Sequence, residues 1–215
     1  MNVRASVLFS VLLLSACEDK NAPPPPPPPT ARPEIVSAKP TQTIASTTSA
    51  QGANKPRQGC NANHPAVGKK LPVTTFSHVE TEGAASLPDK IMASSGHTWI
   101  NLWAAWCGPC RAEIPLLVSW QSKLKAAGKS VSFAFLSLDD DERETRAMLA
   151  KQPKDGLQAT YMLPEPTRKN VLSTLGFPAE QGLPVQVIVD ENARVKCVID
   201  GEVTEADYAW IAKMF

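Results

Sequence analysis

Two cysteines separated by Gly-Pro, in the pentapeptide Trp106-Cys107-Gly108-Pro109-Cys110, sit where an apolar run gives way to a helical pattern. Upstream, Trp99-Ile100-Asn101-Leu102-Trp103 reads as a buried strand. Downstream, Ile114, Leu117, Val118, Trp120 and Leu124 recur at helical spacing. A strand running into a helix through Cys-x-x-Cys demands an α/β unit with both thiols on the helix's first turn. That spacing suits dithiol chemistry, in which one cysteine attacks a foreign disulfide and the other releases the product. A helix N-terminus also stabilises a thiolate.

A structural zinc site is the competing use of such a pair, and it needs four ligands. The other cysteines, Cys17, Cys60 and Cys197, lack short-range partners, and His64, His78 and His97 are scattered upstream. No metal site is expected, and dithiol exchange calls for no cofactor. An inert structural disulfide is the other alternative, and the following helix argues against it.

The start of the chain points to export. Arg4 precedes the apolar stretch Val7 to Leu14, which is too short to span a bilayer. Leu14-Ser15-Ala16-Cys17 resembles a lipoprotein cleavage site that leaves Cys17 lipidated, the alternative being an ordinary secretory signal. Glu18-Asp19 resembles an inner-membrane retention signal, so a lipid anchor on the periplasmic side of the inner membrane is expected over the outer membrane. A formal net charge of +1 over 215 residues gives no reason to expect nucleic acid as a partner.

From Glu18 to about Gln58 the chain is rich in Pro, Ala, Ser, Thr and Gln and poor in large apolar residues. Such a segment cannot bury enough surface to offset its ordering entropy. The unbroken run Pro23 to Pro29 favours polyproline II, about 3.1 Å per residue. The expected organisation is a signal peptide over 1–16, a Pro-rich tether over 17–59 and a globular domain over 60–215.

Within that domain the pattern predicts a short apolar segment at Leu71–Phe76, a strand at Thr98–Trp103 and a helix to about Ala127. A second central strand is expected at Val131–Leu138, followed by Asp139-Asp140-Asp141 as a turn and solvated helix start for Glu142–Lys151. Calcium ligation by that acidic run lacks the required offsets. A short apolar segment at Gln158–Leu163 and a helix at Pro166–Leu175 come next. A hairpin turning at Asp190–Ala193 should join the strand Val185–Val189 to Arg194–Ile199, before Thr204 caps a last helix through Trp210 and Ile211.

The segment Asn101 to Pro115, with Trp106-Cys107-Gly108-Pro109-Cys110 at its centre, resembles the active-site stretch of thioredoxin-like proteins, most closely the TlpA/ResA branch. Gly182-Leu183-Pro184-Val185-Gln186-Val187-Ile188-Val189-Asp190 is similar to that family's later strand, whose proline is cis. The resemblance covers roughly residues 70–215. It implies a thioredoxin fold, a central mixed sheet flanked by helices, with a helix–strand insertion at 141–176 between its halves.

The resemblance also assigns roles. It makes Cys107 an exposed nucleophile and Cys110 the buried resolving thiol. Gly108 and Pro109 tune the redox potential, and the Gly-Pro pairing implies a reducing poise, on the order of −270 mV in thioredoxin itself. Trp106, Leu183 and Pro184 would meet an extended client, Pro184 offering main-chain groups. Glu113 stands where the branch often carries an acidic residue, able to act on the proton of Cys110; the alternative is a surface glutamate. Asn101 replaces thioredoxin's buried aspartate, and an amide cannot serve as a general base. Pro115 lies inside the helical pattern and should kink it.

With Cys17 lipidated and the active pair set aside, Cys60 and Cys197 remain as candidates for a structural bond in an oxidising compartment. Closing so long a loop would contribute up to about 5 kcal/mol in the chain-entropy model. The alternative is two separate thiols. The expected function is an anchored, monomeric periplasmic reductase. It would act on protein substrates with oxidised cysteines, by resemblance in cytochrome c or cytochrome oxidase maturation, and be recharged by a membrane thiol electron donor. A disulfide oxidase or isomerase would use the same residues. A copper chaperone of the related type would need a histidine after Cys110, and none follows.

Overall fold

The computed structural model describes residues 59–215 apart from 94 and 179. The expectations for the signal peptide, Cys17 and the tether lie outside the described residues.

The chain forms ten principal elements: β1 (His78–Glu80), β2 (His97–Trp103), α1 (Gly108–Ala126), β3 (Val131–Ser137), α2 (Glu142–Leu149), β4 (Ala159–Met162), α3 (Thr167–Leu175), β5 (Val185–Val189), β6 (Val195–Asp200) and α4 (Tyr208–Ile211). The six strands make one mixed sheet in the order β1-β4-β3-β2-β5-β6. β2 is central, parallel to β3 and antiparallel to β5.

That position explains the unbroken apolar character of β2, because both of its faces are covered. Trp99 and Trp103 point into a cluster with α1, Phe135, Ile188, Cys197 and Ile199. Ile100 and Leu102 point the other way, into a cluster with Leu136, Val185, Val187 and Val198. α1 covers the first face through Cys110, Glu113, Ile114, Leu117, Trp120 and Leu124, spaced as one helical stripe. α3 covers the second through Val171, Leu172 and Leu175, and ends at Gly176 with φ 84°, a left-handed residue that favours glycine. α1 runs through Pro115 as a single helix.

The apolar segment 71–76 buries Leu71 and Phe76 and forms only the isolated bridges Lys70–Arg194 and Thr75–Lys90 there. Pro72 has no N–H to give a ladder. The edge strand is β1, antiparallel to β4. The final helix is divided into short turns, a 3-10 turn at Glu205–Asp207, α4, and a second 3-10 turn at Ala212–Met214. Buried Ile211 and the contact of Phe215 on Trp99, ring centroids 6.3 Å apart, hold that wound end against the core. Thr204 and Asp207 form a capping box at its start.

Candidate active site

The end of β2 delivers the chain through Ala104, Ala105 and Trp106 to Cys107, which is the N-cap of α1. The Cys107 Sγ accepts a hydrogen bond from the Cys110 backbone N–H at 3.2 Å. Pro109 sits in the first turn, where a missing N–H removes nothing from the helix, and no acidic residue opposes the helix's positive end. Cys107 and Cys110 are joined as a disulfide with S–S 1.97 Å.

Cys107 is only 4% exposed and Cys110 fully buried, so the exposed nucleophile expected at 107 is sheltered in this oxidised state. Its sulfur is turned inward, toward Cys110. The exposed group is Trp106, at 66% the one large hydrophobic residue exposed among the described residues.

Register brings the second motif alongside. Val185 at the start of β5 pairs with Leu102 at the end of β2, which puts Leu183 and Pro184 beside the turn that carries Trp106. The Leu183–Pro184 peptide is cis. Leu183 packs against the cluster containing both cysteines and lines a groove with Trp106. The Pro184 carbonyl, expected to face a client, accepts from the Gly201 N–H at 3.0 Å. That carbonyl is thus occupied within the sheet edge rather than open to solvent.

Beneath the dithiol lies a buried polar network that spans three elements. Glu113 is 4% exposed, so the reading of a surface glutamate fails. Its position on the packed stripe of α1, one turn after Cys110, turns it inward. Glu113 Oε1 accepts from Asn101 Nδ2 at 2.8 Å and Gln186 Nε2 at 2.9 Å, and Oε2 accepts from Val203 N at 2.9 Å. Gln186 Oε1 in turn accepts from Asn101 Nδ2 at 3.1 Å and Trp99 Nε1 at 2.9 Å. Burial pushes the Glu113 carboxyl up to about 6, against the opposing pull of its three donors. Asn101 Oδ1 is buried without a hydrogen-bond partner.

Asp139 differs more sharply from expectation. It is 1% exposed, and its side chain ties the active-site turn to α2. Both carboxylate oxygens accept from the Ala105 N–H, at 2.9 and 3.1 Å, and Oδ2 also accepts from Ser137 Oγ at 2.7 Å and Thr145 Oγ1 at 2.8 Å. Only Asp141 acts as the helix cap, accepting from Arg143 N at 2.9 Å. Gln186 and Asp139 are the residues that sequence reasoning did not single out for the site. The available signal for Gln186 was one amide inside an otherwise apolar strand.

Packed in the same apolar cluster as the dithiol, Cys60 and Cys197 form a second disulfide, S–S 1.99 Å. It pins the segment that follows Cys60 along β6, where Asn61 N–H donates to Val198 O at 2.8 Å and Gly68 N–H to Val195 O at 2.8 Å. Among the described residues no group of three or more His, Cys, Asp or Glu side chains could hold a metal ion, and no helix is long and apolar enough to cross a membrane.

The profile of the redoxin family matches residues 66–210, more than half of the chain. The chain belongs to the redoxin family. It is 32% identical over 62 residues to a thiol:disulfide interchange protein DsbE homolog of Paracoccus denitrificans, covering 29% of this chain and 34% of that protein. It is 26% identical over 105 residues to thiol-disulfide oxidoreductase ResA of Oceanobacillus iheyensis, covering 49% of this chain and 50% of that protein. These matches span a third to a half of the curated relatives' lengths. Among solved structures, the thioredoxin domain of a thiol-disulfide oxidoreductase from Bacteroides vulgatus aligns with TM-score 0.51 at 19% identity, covering 69% of this chain and 96% of that one. The fold is the thioredoxin fold, and the redoxin is of the TlpA/ResA-like kind.

Proposed function

We propose that this redoxin is a thiol–disulfide reductase of exported proteins, held at the periplasmic face of a bacterial membrane by a lipid on Cys17 and recharged by a membrane thiol donor. The observation that carries the chemistry is the Cys107 sulfur at the α1 N-cap, bonded by the Cys110 N–H. In the reduced protein the same position favours a Cys107 thiolate. That thiolate attacks one sulfur of a client disulfide, forming a Cys107–client bond and releasing the other client sulfur as a thiolate. Cys110 then attacks Cys107, the Cys107–Cys110 bond forms, and the second client sulfur leaves as a thiolate. Two electrons pass from protein to client, and the two client thiolates take up the protons that the protein thiols lost.

The second step needs Cys110 to lose a proton inside an apolar cluster. Glu113 stands three positions along the same helix face, neighbouring Cys110, with its carboxyl held near neutrality. It supports the reading that Glu113 accepts this proton, directly or through a water. Trp106 and Leu183 support client contact by presenting apolar surface beside the sulfurs.

The reducing direction is tested by equilibrating the protein with glutathione. A potential near that of thioredoxin, on the order of −270 mV, supports it, whereas one near −120 mV makes the protein an oxidant. Clients, including any in cytochrome maturation, are identified in cells with Cys110→Ser, which should accumulate mixed disulfides on Cys107. Recovery of no adducts overturns the reductase reading. Metabolic labelling with palmitate, lost in Cys17→Ser, tests the anchor.

A further inference from the structure

Trp106 stands between two grooves of opposite charge. The first, about 370 Å³, lies on the Leu183 side, and its charged side chains are Asp140, Glu165, Glu180 and Arg168. Three carboxylates against one guanidinium leave a net charge of −2. Arg168 is already committed: it pairs with Asp140 at 3.2 Å and Glu165 at 3.1 Å, donates to the Leu138 carbonyl and is 20% exposed. The same pairs engage Asp140 and Glu165, so the exposed Glu180 carries most of the negative charge this groove offers an incoming cation.

The second groove, about 500 Å³, lies between the starts of α1 and the end of α2, and its charged side chains are Arg111, Lys151 and Glu144. All three are exposed, and together they carry a net charge of +1. The whole chain also sums to +1, so the contrast across the indole is a local arrangement rather than bulk charge. A client segment laid across Trp106 to bring its sulfur to Cys107 would reach both grooves, because Trp106 lines each of them. An extended segment advances about 3.3 Å per residue, so side chains two or three places from its cysteine fall over these grooves.

We infer that the two grooves act as one charge-sorted track that accepts an extended client segment in a single orientation, with its basic flank beside Leu183 and its acidic flank beside Arg111 and Lys151. The inference rests on the reductase reading and adds the class of client: a segment whose cysteine separates a basic from an acidic flank. Exposed ion pairs are each weak, so the track selects orientation through several of them and loses its grip as salt rises.

The test uses two peptides of one composition and opposite order, Lys-Lys-Ala-Cys-Ala-Glu-Glu and Glu-Glu-Ala-Cys-Ala-Lys-Lys, each with its cysteine as a mixed disulfide with the neutral 2-thiopyridyl group. The dithiothreitol-reduced full chain attacks the peptide sulfur and displaces pyridine-2-thione. Cys110 then releases the peptide thiol, so one dithiol is oxidised for two thiols formed. At low salt one peptide should react about threefold to tenfold faster than the other, and the ratio should approach one near 1 M salt. Glu180→Lys and Lys151→Glu should each cut the low-salt ratio at least about twofold.

Equal rates at low salt, a ratio untouched by both substitutions, or reaction with neither peptide overturns the inference. Bis(2-hydroxyethyl) disulfide, small and neutral, separates the two readings. Failure to reduce it overturns the reductase reading itself, whereas its reduction alongside equal peptide rates overturns the charge-sorted track alone.

Discussion

The carboxylate of Asp139 receives the backbone N–H of Ala105 on both of its oxygens, at 2.9 and 3.1 Å, one residue before the exposed Trp106. A buried acid at the end of β3 thereby holds the turn that presents the dithiol, and it is anchored in turn by Ser137 and by Thr145 of α2. Asp139→Ala leaves an amide and two hydroxyls without their charged acceptor. Such losses cost about 2–4 kcal/mol, measurable as a lower urea midpoint, with peptide reduction slowed as the turn loosens. Unchanged stability would show that the turn is held elsewhere.

Glu113 predicts a pH dependence of stability. Its folded pKa, about 6, lies above its ordinary 4.5, so its favourable contribution is full below pH 4.5 and is lost as pH rises through 6. The loss is on the order of 2 kcal/mol. Urea unfolding from pH 4.5 to 7 should show it as a difference between the wild type and Glu113→Gln, which has no such group. The lowered carboxyls of Glu80, Asp141 and Asp190 act with the opposite sign, favouring the fold above the ordinary carboxylate range, and cancel in that difference. A pH-independent difference would place Glu113's pKa near its ordinary value.

Glu113→Gln should also separate the two chemical steps. Attack by Cys107 continues, while resolution by Cys110 slows by about a hundredfold, the lower end of what a positioned base contributes. Rapid quenching should reveal an accumulating mixed disulfide. Unaltered resolution would assign the proton to solvent.

Trp106→Ala tests client contact apart from folding. At 66% exposure the indole contributes little to the core, so stability should change by no more than about 0.5 kcal/mol. An aromatic anchor at a contact surface is worth about 2 kcal/mol, so kcat/KM with a peptide client should fall by more than about tenfold. An unchanged kcat/KM would remove Trp106 from recognition.

The disulfide between Cys60 and Cys197 closes a sequence separation of 137. Replacing both residues with alanine should lower unfolding free energy by up to about 5 kcal/mol in the chain-entropy model, while mass spectrometry of the unreduced digest reports the linkage directly. A Cys60 peptide with a free thiol would contradict the pairing.

The Cys107-Gly108-Pro109-Cys110 spacing, the apolar run at 99–103 and the helical stripe after it were sufficient to place a dithiol at a strand–helix junction, because these signals are local and periodic. Pattern alone also located β3, β5 and the hairpin to β6 to within a residue or two. The edge strand β1 escaped it: three residues paired to a strand about eighty positions away carry almost no local signal.

The polar residues were less legible. Asp139, Asp140 and Asp141 look alike in sequence, yet the first is buried as a clamp, the second is exposed beside Arg168 and the third caps α2. Sequence left Glu113 between a proton-handling acid and a surface glutamate, and gave Gln186 no role, until the sheet register set Asn101 opposite Gln186 beneath α1. The dithiol's chemistry was determined by residues adjacent in the chain. The buried network around Glu113, the Asp139 clamp and the charge on either side of Trp106 were decided by tertiary structure, because each joins groups tens of residues apart whose meaning depends on what burial removes from water.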